Sequence, residues 1–245
     1  MKLAGNTILV TGGASGIGWG LTERLLKAGS EVIICGRRED KLKEAQQKYP
    51  KLHIRVCDLS KDADRISLFQ WASKEYPTLN VLINNAGIQR RVQLTDNQEP
   101  WSGFQQEIAI NLEAPIHLST LFIPHLATKK ESYIINITSG LAFTPAAWVP
   151  VYSATKAALH SFSLTLRHQL SKTSIKVIEI APPAVQTDLG GAGLHTFGVP
   201  LDEFADAAIK NLEAGQTEFG YGTSEKARKA SREEADEIFI RLNSR

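Results

Sequence analysis

Apolar residues fall along this chain in two alternating kinds of run. The first kind is short, continuous and rich in β-branched side chains. It recurs at Thr7–Val10, Glu31–Cys35, His53–Cys57, Val81–Ile83, Tyr133–Ile137 and Lys176–Ile180. Such runs, without polar alternation, predict strands covered on both faces. The second kind is longer and amphipathic, and predicts helices over about 16–28, 39–48, 62–75, 101–127, 152–171 and 202–213. Alternation of the two predicts right-handed crossovers and a parallel sheet. The expected fold is α/β: a single-domain, Rossmann-type, doubly wound parallel sheet with helices on both faces, spanning residues 1–245. Ligands of such a sheet sit beyond the carboxyl ends of its strands.

Two segments depart from this rhythm. Residues 182–200 are rich in Gly and Pro with scattered apolar side chains, which predicts a substrate flap at about 188–200. From about Glu225 the chain is heavily charged, with Phe239, Ile240 and Leu242 near its end. That pattern predicts a C-terminal helix docked by those three residues.

Composition narrows the picture mainly by exclusion. With 42% hydrophobic and 22% charged residues the chain reads as an ordinary globular protein. A net charge of +2 is too small to argue for nucleic acid or an anionic membrane as partner. Cys35 and Cys57 form no metal or redox motif, and read as buried thiols in a reducing compartment. The six histidines have no metal-ligand spacing, so no metal is expected. No secretory leader and no membrane span are apparent, so a cytoplasmic location is expected.

The first chemical signal is Thr11-Gly12-Gly13-Ala14-Ser15-Gly16-Ile17-Gly18, between a strand and a helix. In that context Gly12 permits a tight turn, Gly16 lets backbone approach a pyrophosphate, and Gly18 lets helix and strand pack closely. The free N–H groups of the helix start favour an anion, with Ser15 as a phosphate contact and Ile17 beside it. The plain alternative is an ordinary strand-to-helix turn. Its T-G-x-x-x-G-x-G spacing resembles that of the classical short-chain dehydrogenase/reductase family, and later motifs agree in order along nearly the whole chain.

That resemblance implies a nicotinamide cofactor, and the end of the second strand selects it. Gly36 stands where NAD-preferring members carry Asp, and Arg37 follows as in many NADP-preferring members. A guanidinium can grip a 2′-phosphate with two parallel bonds. NADP(H) is therefore the preferred cofactor, with NAD(H) possible; the alternative is that Arg37 and Arg38 are solvated loop charges. The resemblance assigns Asp58 and Leu59 to the adenine, although Asp58 also reads as a helix cap or turn residue. Asn84-Asn85-Ala86-Gly87 looks like the family's NNAG motif, placing Asn85, Ala86 and Gly87 beside the cofactor ribose.

Tyr152 and Lys156, four apart at the start of a helical stretch, share one helical face. An ammonium near a phenol stabilises the phenolate and brings its pKa towards the working range of an acid–base catalyst. The family places a Ser about a dozen residues before its Tyr; Ser139, thirteen before Tyr152, fits, and Asn111 matches the family's helix-kinking Asn. The implied catalytic set is Asn111, Ser139, Tyr152 and Lys156, the last two also contacting cofactor. Val185 and Thr187 match the residues that meet the nicotinamide carboxamide, but Pro183 replaces a usual Gly and should stiffen that turn. The CGR, NNAGIQ, TSGLAF and EIAPP runs resemble the DltE-like oxidoreductases. Phe143, Trp148, Leu189, Leu194 and Phe197 could wall an apolar substrate site or pack in the core. The resemblance implies a homodimer or homotetramer and a small-molecule carbonyl or alcohol substrate. The competing function is a cofactor-binding regulatory protein with little or no turnover, which the intact Ser–Tyr–Lys set opposes.

Overall fold

The computed structural model describes residues 1–96 and 98–244. Seven strands, β1 (Thr7–Thr11), β2 (Glu31–Gly36), β3 (His53–Val56), β4 (Val81–Asn84), β5 (Ser132–Ile137), β6 (Ile175–Ala181) and β7 (Glu218–Gly220), form one parallel sheet in the order β3-β2-β1-β4-β5-β6-β7. The order reverses between β1 and β4, which opens a crevice at their carboxyl ends.

Alternate side chains on each strand feed two cores. Ile8, Val10 and Ile34 face α1 (Gly16–Lys27), α2 (Glu39–Lys48) and α7 (Leu201–Glu213), which contribute Leu21, Leu25, Leu42 and Phe204. Leu9, Ile33 and Leu82 face α3 (Asp62–Glu75), α5 (Ala114–Leu126) and α6 (Pro150–Gln169), with Leu68, Phe122 and Leu166. Burial on both faces is why these strands read as unbroken apolar runs.

The structure corrects the sequence reading at four places. The third strand ends at Val56, which is exposed on the sheet edge. The helix expected over 101–127 is α4 (Trp101–Ile108) and α5, joined by a π-helical turn at Ala109–Glu113. The seventh strand was not expected. The C-terminal helix is two helices, α8 (Thr223–Lys229) and α9 (Arg232–Asn243), and α9 begins on a Ser231/Glu234 capping box. Of its three expected docking residues only Leu242 packs inward. Phe239 and Ile240 are exposed, because α9 lies along the surface and is anchored by its end.

Candidate active site

A cleft of about 1300 Å³ runs across the carboxyl ends of the strands, from Arg37 and Arg38 at one end to Trp148 and Leu242 at the other. Its centre is the glycine turn. Gly12 and Gly16 have φ of +64° and +53°, a region where side chains strain the backbone. A Cβ on Gly18 would meet Gly12 O and Asn85 Nδ2, both at 2.4 Å, and one on Gly12 would lie 3.0 Å from Ala86 Cα. These glycines let the turn close against the strand-four loop while its backbone stays open to the cleft.

Thr11 and Asn85 lock that closure. Thr11 Oγ1 accepts from the N–H groups of Asn85 and Ala86 at 2.9 and 3.1 Å. Asn85 Nδ2 donates back to Thr11 O at 2.9 Å and to Gly12 O at 3.3 Å. The Asn85 amide is thus committed to holding the turn, while Ala86 and Gly87 face the cleft. Ser15 and Ile17 line the cleft as well, and Arg38 Nη2 donates to Ser15 Oγ at 3.1 Å.

Arg37 lines the adenosine end, and a Cβ on Gly36 would meet nothing within 4 Å. Leu59 reaches the same wall. Asp58 turns elsewhere: its Oδ1 accepts from Ser60 N at 3.1 Å and Ser60 Oγ at 2.8 Å. Burial works to raise the Asp58 pKa, but those two bonds and nearby Arg37 hold it below the usual range. The turn role of Asp58 is therefore realised; α3 begins four residues later, with Lys61 at its cap.

At the floor of the cleft three elements converge. Ser139 follows β5 and caps a 3₁₀ turn at Gly140–Ala142, its Oγ accepting from Leu141 N at 3.1 Å. Tyr152 and Lys156, both buried, project from α6. Lys156 Nζ donates to Ile137 O at 2.8 Å and lies 5.6 Å from the Tyr152 ring centre. Asn111, fully buried in the π turn, accepts from Ile88 N at 2.9 Å and donates to Ile88 O at 2.8 Å. A Cβ on Gly87 would lie 3.4 Å from Asn111 Oδ1 and 3.7 Å from Lys156 Nζ, so only a glycine's width separates the two.

The electrostatics differ from the expected lowering of the tyrosine. Burial pushes Tyr152 up to about 12, against a lowering bond from Ser139, and Glu107 adds to the rise. Burial also pushes Lys156 down to about 8. Desolvation dominates both shifts because both side chains are buried. Glu107 escaped the sequence reading. It is fully buried on α4, accepts from Arg90 N at 3.2 Å, and leaves Oε2 without a partner among the described residues. Burial raises its carboxyl to about 7. Only its place one helical turn before Asn111 could have drawn attention to it.

Val185 and Thr187 lie on the opposite wall, and Thr187 Cγ2 approaches the Gly16 position. Val185 pairs with Val199, closing the base of the 186–198 loop. Pro183 lines the cleft, and the carbonyl of Pro182 accepts from Gly140 N at 2.9 Å, tying this turn to the Ser139 turn. Among the expected apolar wall residues, Trp148, Leu189 and Phe197 line the cleft. Phe143 instead packs on His160, with ring centres 4.7 Å apart, and Leu194 lies against Gly191. Ile238, Arg241 and Leu242 of α9 complete the substrate end, which no sequence signal announced. Among the described residues no metal-binding cluster of His, Cys, Asp and Glu occurs, and no helix is long and apolar enough to cross a membrane.

Comparison with known proteins fits this geometry. The family model for short chain dehydrogenases matches residues 6–195. The uncharacterized oxidoreductase DltE of Bacillus subtilis (strain 168) is 48% identical over 249 residues, covering 100% of this chain and 99% of that protein. A short chain dehydrogenase from Burkholderia cenocepacia J2315, solved in complex with NADP, shares the fold at a TM-score of 0.85 and 24% identity, covering 99% of each chain. The 3-ketoacyl-(acyl-carrier-protein) reductase from Brucella melitensis, complexed with NADH, gives a TM-score of 0.78 at 27% identity over 85% of this chain and 91% of that one.

Proposed function

The chain belongs to the short chain dehydrogenase family of oxidoreductases, and from that premise we propose that it is an NADP(H)-dependent carbonyl reductase or alcohol dehydrogenase acting through Tyr152. The observation that carries this reading is the meeting of Ser139, Tyr152 and Lys156 in one cleft with an open glycine turn, with Asn111 buried just behind Gly87.

The residues present fit a dinucleotide, since side chains at 12 or 18 would push the turn off the strand-four loop and spoil the cradle that its backbone forms. Gly12, Ser15, Gly16, Ile17 and Gly18 would hold its pyrophosphate at the start of α1. Arg37 would take the 2′-phosphate, with Arg38 alongside. Leu59, Ala86 and Gly87 would line the adenosine and ribose, and Val185 and Thr187 the carboxamide. NAD(H) would bind the same cradle without the phosphate contact. When bound, the nicotinamide supplies or accepts the hydride.

The chain's own groups manage the oxygen and its proton. Ser139 and Tyr152 hydrogen-bond the substrate oxygen. A phenol held at about 12 is protonated across the neutral range, the state carbonyl reduction requires. Tyr152 donates that proton, and the Lys156 ammonium stabilises the phenolate left behind. Asn111 holds the π turn beside Lys156, on the side from which protons return. The 188–200 segment acts as the substrate flap, and the protein works as a homodimer or homotetramer.

The test is NADPH oxidation with a panel of aldehydes and ketones. Tyr152→Phe should lower kcat by about 10²–10⁴ while NADPH affinity stays within about twofold. A fully active Phe variant would overturn the assignment. NADPH binding with no turnover in the native protein would favour a regulatory role instead.

A further inference from the structure

Behind the cleft, β6 carries a fully buried carboxylate, Glu179, that has no part in the chemistry above. Its Oε1 accepts from Thr138 Oγ1 at 2.7 Å. Its two oxygens also lie 3.0 and 2.8 Å from His160 Nδ1. Thr138 immediately precedes Ser139. His160 stands one turn beyond Lys156 on α6, which is one turn beyond Tyr152, so the three share a helical face.

The surroundings leave Glu179 little else to answer. It pairs in register with Asn136 on β5 and Glu218 on β7. Asn136 is bonded to Ser163, and Glu218 is engaged by Arg167 and Arg228. Among the described residues, the titratable groups facing Glu179 are thus His160 and Lys156 on α6 and Glu218 on β7, with Arg167 and Arg228 taken up by Glu218.

We propose that Glu179 is a positioning residue for the reaction: fixed by Thr138 and His160, its carboxylate keeps the buried Lys156 ammonium charged at the floor of the cleft. The inference rests on the reading of Tyr152 and Lys156 as an acid–base pair. Lys156 Nζ is bonded to Ile137 O at 2.8 Å and the next residue, Thr138, is bonded to Glu179 at 2.7 Å, so the two charges meet adjacent residues at the end of β5. Burial drives Lys156 down, and Glu179 opposes that fall. A neutral Lys156 would give the phenolate no support. His160 makes this support depend on pH. Its bond to Glu179 raises its pKa, burial lowers it, Glu218 raises it and Arg167 lowers it, with the rise prevailing. While His160 is protonated it neutralises Glu179. Once it loses its proton, the bare carboxylate faces Lys156 in the alkaline range where that lysine would otherwise discharge.

Two readouts test the inference: the alkaline limb of kcat in NADPH-dependent carbonyl reduction, and the pH at which NADPH affinity falls, followed by nicotinamide fluorescence with no carbonyl present. Glu179→Gln should move both down by about one pH unit. His160→Gln keeps the carboxylate and should leave both at or above their native positions. If both variants lower kcat evenly across pH and the limbs stay put, Glu179 is merely structural and the proposal fails. Should Glu179→Gln not fold by circular dichroism, Glu179→Asp retains the charge and should keep the native limb; a limb lowered by a full unit would overturn the idea. A native protein that binds NADPH but turns over no carbonyl would sink the oxidoreductase reading, while the binding limb would still decide the role of Glu179.

Discussion

Glu107 is a carboxyl buried near the Tyr152 phenol, and one of its oxygens has no partner among the described residues. A charge so placed is costly unless paired, and the group responds by holding its proton up to about pH 7. The sign of the consequence follows from linkage. A carboxyl whose folded pKa is raised contributes fully below its ordinary value of 4.5, and that contribution is lost as pH rises towards about 7. Glutamine keeps the acceptor for Arg90 N and never ionises. Glu107→Gln should therefore stabilise the protein by about 1–3 kcal/mol at pH 8, and much less at pH 4.5. Denaturant unfolding at the two pH values checks this, and equal effects at both would contradict it. At the other end of the cleft the open space around Gly36 matters. A Cβ there meets nothing within 4 Å, so the position can take a side chain. Gly36→Asp with Arg37→Ser should shift the NADP(H)/NAD(H) ratio of kcat/KM by about 10–100-fold towards NAD(H), since a charge-assisted bond to phosphate is lost. An unchanged ratio in steady-state kinetics would remove Arg37 from the phosphate site.

Elements were legible where their cause is local. The runs at Thr7–Val10, Glu31–Cys35 and Val81–Ile83 are apolar throughout because helices cover both faces of the sheet, and the structure extends each by one residue. The shared face of Tyr152 and Lys156 was legible from their spacing, whereas Ser139 was set beside them by the resemblance; in the structure all three line the cleft. The π turn was legible only through the resemblance, which makes Asn111 a helix-kinking residue. The apolar pattern over 101–127 does not mark it; the structure shows Asn111 gripping the N–H and C=O of Ile88, 23 residues earlier. The lock between Thr11 and Asn85 hid for the same reason, lying 74 residues apart. Gly140 carries a constraint of the same distant kind, since a Cβ there would sit 2.8 Å from Ser224 Cβ on α8. Strand β7 is only three residues long and earns its place from β6 beside it rather than from its own pattern. The break before α9 is different, since the Ser231/Glu234 capping box was readable in the sequence.

At the scale of the molecule, the chain's last helix returns to the site that its first turn began. The glycine turn fixes the centre of the cleft within the first twenty residues, and α9 finishes the end farthest from Arg37. Leu242 packs against the cluster of Ala146, Val149 and Tyr152. Asn243 fastens the same segment, its Oδ1 accepting from Ala147 N at 2.6 Å and its Nδ2 donating to Pro145 O at 3.1 Å. These contacts lie wholly on the substrate side, whereas the sheet and both cores are complete without them. Helix α8 keeps its own anchor, Ser224 Oγ donating to Ala181 O at 2.6 Å. On the function proposed above, truncation should therefore separate cofactor binding from substrate handling. A chain ending at Ala230 should bind NADPH within about twofold of the full protein, by fluorescence titration. Its kcat/KM for a carbonyl substrate should fall about 10–100-fold, because small displacements around Tyr152 are costly to a positioned proton transfer. If cofactor affinity falls in step with turnover, α9 is a prop for the whole fold; if turnover is unchanged, it is no part of the substrate wall.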